Sequence, residues 1–133
     1  MSSSQKLFCV TYLVRDYDEA IVYFTHVLRF HLIEDTRLSP VKRWVVVSPP
    51  GDGTVRLLLA QAANDHQKAH ITEHAGGRVA YFLRTDQFDE DYAAMKARGV
   101  NFLEAPRDES YGRVAVFADL YGNRWDFIGP RPR

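Results

Sequence analysis

The chain of 133 residues has a single cysteine, Cys9. One thiol excludes an intrachain disulfide and a multi-cysteine zinc site. It also suits a reducing, cytoplasmic setting. No apolar run approaches the ~20 residues that a membrane helix needs. The opening Met1-Ser2-Ser3-Ser4-Gln5-Lys6 leads into a short apolar run without a small-residue cleavage signature, so no signal peptide is expected. An excess of either charge is missing too, since Lys and Arg total 17, as do Asp and Glu, for a net charge of +0. General binding to nucleic acid or to an acidic membrane would need a positive surplus, so neither partner is expected. The sequence also lacks a Gly-rich phosphate loop, a nucleophile elbow and a redox cysteine pair. What it has is 46% hydrophobic residues, enough for a packed core in a domain of ordinary size.

Leu7 to Val14, rich in branched and aromatic residues, predicts a strand. Asp16 follows as a helix N-cap, with Glu19 three residues on as in a capping box. Ala20, Ile21, Phe24, Val27 and Leu28 recur at helical spacing and give that helix one apolar face. Strands are expected over Phe30 to Asp35, Arg43 to Ser48 and Val55 to Ala60, with Pro49-Pro50-Gly51-Asp52-Gly53 as a turn. The order is βαβββ. It returns in the second half: a strand over Arg78 to Arg84, a helix capped by Asp86 and stopped by Gly99, then strands over Val100 to Glu104, Arg113 to Ala118 and Arg124 to Ile128. The similarity extends to the letters. Tyr12-Leu13-Val14-Arg15-Asp16 parallels Tyr81-Phe82-Leu83-Arg84-Thr85-Asp86, and Phe30-His31-Leu32-Ile33-Glu34 parallels Val100-Asn101-Phe102-Leu103-Glu104.

Three features carry a resemblance. One is the segment from Val10 to Ile21 with its continuation Tyr23-Phe24-Thr25-His26-Val27-Leu28-Arg29-Phe30, in which Tyr23-Phe24 inverts the usual order and Arg29 replaces a usual glycine. Another is the doubled βαβββ order. The last is Phe117-Ala118-Asp119-Leu120-Tyr121-Gly122-Asn123-Arg124-Trp125-Asp126-Phe127-Ile128. Together they make the sequence similar to the vicinal oxygen chelate superfamily of glyoxalases, bleomycin resistance proteins and ring-cleaving extradiol dioxygenases, over nearly the whole chain. The resemblance implies an α+β domain spanning 1–133, with module one at about 5–61, a linker at about 62–76 and module two at about 77–130. It implies curled mixed sheets forming a cup-shaped cleft, and assembly as a homodimer. In metal-using members, ligands on the first and last strand of each module hold a divalent ion that acts as a Lewis acid.

Those ligand positions fall on Cys9, Leu57, Arg78 and Asp126. Only Asp126 is a good hard-metal donor; Cys9 is soft, Leu57 has no donor, and Arg78 repels cations. A shift of one residue brings no better set. Binding needs several donors at ~2.0–2.6 Å, so no metal cofactor is expected. Arg78 and Asp126 are instead expected to pair in the cleft. The pair would either anchor an acidic ligand or fill the space a metal would occupy.

Strand alternation puts Cys9 and Thr11 on one face and Arg78 and Phe82 on one face, with Leu57 and Leu59 joining them as cleft-lining residues. Trp44 and Tyr111 are weighed as aromatic walls against ordinary packing. His66, His70 and His74 would share a helix face, but the first and third would stand ~12 Å apart at 1.5 Å per residue, too far for one ion. A solvated short helix is the plainer reading and a lid the other. Cys9 has no visible base beside it and reads as a small hydrophobe rather than a nucleophile. The functional expectation is a small organic molecule, with an acidic or hydrogen-bonding group, bound in a metal-free cleft. The alternative is a metal-dependent lyase or isomerase, or a ring-cleaving dioxygenase, of the same fold. No catalytic residue is identified.

Overall fold

Asp16 opens the first helix as its position suggests, its carboxylate accepting the Glu19 N–H at 2.8 Å. The Glu19 side chain pairs with Arg15, one turn away. A computed structural model describes residues 2–51 and 55–131. The part of the proposed Pro/Gly turn at Asp52 and Gly53 lies outside the described residues. The chain divides into two compact units, Met1–Ile71 and Thr72–Arg133, and the division falls within the 62–76 segment.

The first unit follows the expected order: β1 (Cys9–Val14), α1 (Tyr17–Val22), β2 (His31–Arg37), β3 (Arg43–Ser48) and β4 (Arg56–Gln61), with α2 (Asp65–Ala69) after them. Helix α1 runs on as a π-helical segment, Tyr23–Val27, in which the Leu28 N–H reaches the Tyr23 carbonyl at 3.1 Å. The sheet order is β1-β4-β3-β2. The β1–β4 pair is parallel and the others antiparallel. Apolar alternation buries one face: Tyr12, Val14, Val45, Val47, Leu57 and Leu59 join Ala20, Phe24 and Leu28 in the core. The Tyr12 and Phe24 rings meet edge to face at 5.1 Å, which marks this as the face toward the helix.

The second unit repeats the plan with β5 (Val79–Arg84), α3 (Phe88–Ala97), β6 (Asn101–Phe102), β7 (Arg107–Glu109), β8 (Gly112–Ala118) and β9 (Arg124–Gly129). Its sheet order, β5-β9-β8-β6, mirrors the first, again with a parallel outer pair. The architecture is therefore α+β with two mixed sheets, as expected. One expected strand, Val100 to Glu104, is shorter. The strand ends at Phe102, with one further bond from the Leu103 N–H to the Val116 carbonyl at 2.8 Å, and pairing resumes in β7, which also lies along β8; Pro106 between them has no N–H to contribute to a continuous ladder. The cap of α3 also differs from expectation. The N-cap is Gln87, without a side-chain bond, and the Thr85 hydroxyl accepts the Gln87 N–H at 3.0 Å in place of Asp86. Gly99 stops the helix as expected, at φ +95° with its N–H on the Lys96 carbonyl.

Candidate functional site

Each sheet turns one face to its own helix and the other away from it. In the first unit the parallel register pairs Cys9 with Arg56, Thr11 with Leu58 and Leu13 with Ala60. These residues alternate with Tyr12 and Leu59, so they share the face turned away from α1. Val46 joins them through its pairing with Leu58, and Trp44 follows two residues before it. From β2, Glu34 and Thr36 sit opposite Val46 and Trp44. The face has an apolar centre of Leu13, Trp44, Val46, Leu58 and Ala60, with Thr11, Cys9, Glu34 and Arg56 as isolated polar points.

Leu57 and Leu59 do not belong to it. Leu57 pairs with Val10 and Leu59 with Tyr12, which places both leucines in the core. Plain alternation from the sequence puts them on the face of Cys9 and Thr11, one residue out of register. With a side-chain period of two, such a slip exchanges the faces. Leu58 is the residue that stands beside Thr11. Burial pushes the Cys9 thiol up from its ordinary pKa, partly offset by the Arg56 guanidinium. The thiol therefore stays protonated at neutral pH, which weakens it as nucleophile or metal ligand.

In the second unit Phe82 pairs with Asp126 across β5 and β9, and Val116 flanks Asp126 from β8. The Phe82 ring is 67% exposed and the Asp126 carboxylate is half-buried. Tyr81 and Leu83 lie opposite Trp125 and Phe127 on the other face, where Phe127 meets Phe88 of α3 at 5.2 Å. The expected Arg78–Asp126 pair is not formed. Arg78 precedes β5, and an irregularity between Val79 and Tyr81 breaks the alternation that would join Arg78 to Phe82. Arg78 instead borders a cavity of about 180 Å³ with Thr72, Glu73, Gly77, Gly122, Asn123 and Arg124. Tyr111 is exposed in the turn between β7 and β8; the Arg107 guanidinium is held in its charged form first by its hydrogen bond to Glu109 and secondarily by the Tyr111 hydroxyl.

The three histidines separate. Helix α2 ends at Ala69, so His74 shares no helix face with His66 and His70. The His70 ring contacts the His66 carbonyl at 2.8 Å. His74 belongs to the second unit and is anchored there: its N–H reaches Asn123 Oδ1 at 2.9 Å and its Nδ1 lies 2.6 Å from the Tyr81 hydroxyl. Nearby, buried Asp119 accepts the N–H groups of Tyr121 and Asn123 on Oδ1, both at 3.0 Å, and the Trp125 indole on Oδ2 at 2.8 Å. This network builds the Asp119–Asn123 turn and orients β9. Burial, and then the charge of Asp119, raise the Tyr81 pKa well above its ordinary value. In the sequence the only visible signal of this network is the Asp-Leu-Tyr-Gly-Asn-Arg-Trp run from Asp119 to Trp125.

A divalent metal does not fit the positions at which metal-using relatives hold it. Leu57 points into the core, Arg78 is a cation, and among the described residues no group of three or more His, Cys, Asp or Glu side chains converges to hold an ion.

The sequence model of the Glyoxalase/Bleomycin resistance protein/Dioxygenase superfamily matches residues 6–127. An uncharacterized protein of Shewanella frigidimarina (strain NCIMB 400) is 50% identical over 125 residues, covering 93% of each chain. Among solved structures, UcmS2 superposes with a TM-score of 0.81 at 26% identity, over 95% of this chain and 98% of that one. TnmS3, an antibiotic binding protein from Streptomyces sp. CB03234, does so with a TM-score of 0.76 at 26% identity, over 98% and 99%.

Proposed function

Since the chain belongs to the glyoxalase/bleomycin resistance protein/dioxygenase superfamily, we propose that it binds a small, largely apolar organic molecule without a metal ion and without converting it. The observation that carries this reading is the face of the first sheet turned away from α1. Trp44, Val46, Leu58 and Ala60 form an apolar bed there, and Thr11, Cys9 and Glu34 supply separate polar contacts. Small-molecule sites have this composition: apolar walls with a few polar groups that fix orientation. The face of the second sheet offers a similar arrangement in Phe82, Val116 and Asp126. The likeness to an antibiotic binding protein supports the same reading. So does the donor shortage, because the lyase and dioxygenase chemistry of this superfamily needs a Lewis-acid metal. We read the protein further as a cytoplasmic homodimer. The lone thiol of Cys9 accords with a reducing compartment.

The chain has two tryptophans, and only Trp44 lies on the proposed face, Trp125 being buried. Intrinsic fluorescence titration with aromatic carboxylic acids and peptide antibiotics tests the reading. A saturable change in emission that is lost in Trp44→Phe supports it. A purified protein carrying one equivalent of nickel, zinc, iron or manganese that supports turnover would favour the lyase or dioxygenase alternative instead.

A further inference from the structure

We propose that Arg78 and Arg124 form an oxyanion-binding site, of the size class of inorganic phosphate, at the start of β5 and β9. The proposal is independent of the apolar face on the first sheet. The parallel register pairs Val79 with Arg124, so Arg78, the residue just before β5, stands next to the position opposite Arg124 at the start of β9. Both border the same cavity of about 180 Å³.

Two like charges lining one cavity would repel each other, and ordinary surfaces relieve that with a carboxylate partner. Among the described residues neither arginine makes an ion pair. Arg15, Arg43, Arg107 and Arg113, by contrast, make ion pairs with carboxylates. Glu73 borders the cavity without bridging to either guanidinium, which leaves the lining one positive charge in excess.

Backbone geometry opens the same spot. Gly77 and Gly122 border the cavity at φ +93° and +86°, and nothing lies within 4 Å of where a Cβ would stand on either. A ligand can therefore approach the main chain directly. Two arginines lining one cavity with an accessible backbone supply the donors that recognise phosphate or carboxylate oxygens. This site accounts for Arg78 without Asp126, and it includes a residue, Arg124, that the ligand positions of metal-using relatives do not touch.

The test is a titration of the full chain with inorganic phosphate, followed by amide ¹H–¹⁵N correlation spectra, with sodium chloride at matched ionic strength as reference. We expect saturable shifts confined to residues around 76–79 and 122–125. In Arg78→Gln/Arg124→Gln the affinity should fall by at least about tenfold, whereas Arg84→Gln, further along β5, should leave it unchanged. Acetate in place of phosphate distinguishes a phosphate preference from a general oxyanion site, and either profile at these residues supports the proposal. Shifts that do not saturate, that chloride reproduces, or that persist in the double variant would overturn it. Both arginines are exposed, so the variants should fold, and their unperturbed spectra elsewhere verify this. Failure here leaves the Trp44 fluorescence result intact, so the two readings fail separately.

Discussion

The Trp125 indole donates to Asp119 Oδ2 at 2.8 Å, and the other oxygen of that buried carboxylate holds two backbone N–H groups of the turn ahead of β9. One side chain thus fixes both the turn and the first core residue of the last strand. Asp119→Ala strands up to three donors away from water, at ~1–3 kcal/mol for each one left unsatisfied. We predict a net loss of about 2–4 kcal/mol in urea unfolding, after partial relaxation. A loss below about 0.5 kcal/mol, the range of an ordinary surface change, would contradict that role.

Gly129 is required by space rather than by backbone angle. A Cβ there would lie 2.7 Å from Phe88 Cβ and 3.3 Å from Thr85 Cγ2, so β9 must approach the start of α3 without a side chain. Gly129→Ala should destabilise by about 1–3 kcal/mol, as overpacking does, measurable as a lower Tm.

Arg29 has the only positive φ among the described non-glycine residues, +63°. It follows the π-helical segment, where the chain must turn sharply for the Phe30 N–H to reach the Phe24 carbonyl at 2.8 Å. An L-residue in this region costs roughly 1–2 kcal/mol, and glycine escapes that at some entropic loss. Arg29→Gly should therefore raise stability by up to about 1 kcal/mol. A fall in Tm would show that the arginine side chain does more than tolerate the turn.

The sequence made the doubled βαβββ plan legible because helix caps, glycine stops and strand alternation are local signals, as Asp16 and Gly99 illustrate. What it left hidden depends on pairing between distant strands. Leu57 and Leu58 are equally apolar, and only their register against Val10 and Thr11 decides which one enters the core. The irregularity at Ala80 moves Arg78 away from the face of Phe82, although plain alternation unites them. His74 matched its neighbours in spacing, yet its docking depends on Tyr81 and on Asn123, which is 49 residues away. Even spacing could not indicate that α2 stops at Ala69.

Arg43 bridges Asp35 and Asp18 at 2.7 and 2.8 Å. Its hydrogen bond to Asp35 holds that carboxyl below the usual carboxylate range. A group with a lowered pKa in the folded state contributes stability that is complete above the unfolded value, ~3.9. The contribution fades as pH falls through the folded value. Asp35→Asn should therefore flatten the acid limb of a stability-versus-pH curve below about pH 4, and change its shape near neutrality little. An unchanged acid limb would contradict the coupling.

Metal-independent binding is tested most directly by calorimetric titration of the best organic hit into protein stripped with a chelator, and again after one equivalent of zinc, nickel, iron(II) or manganese is added. The account predicts a Kd unchanged within about twofold, with the organic molecule recovered unaltered. Binding or conversion that appears only after the metal is restored would contradict it.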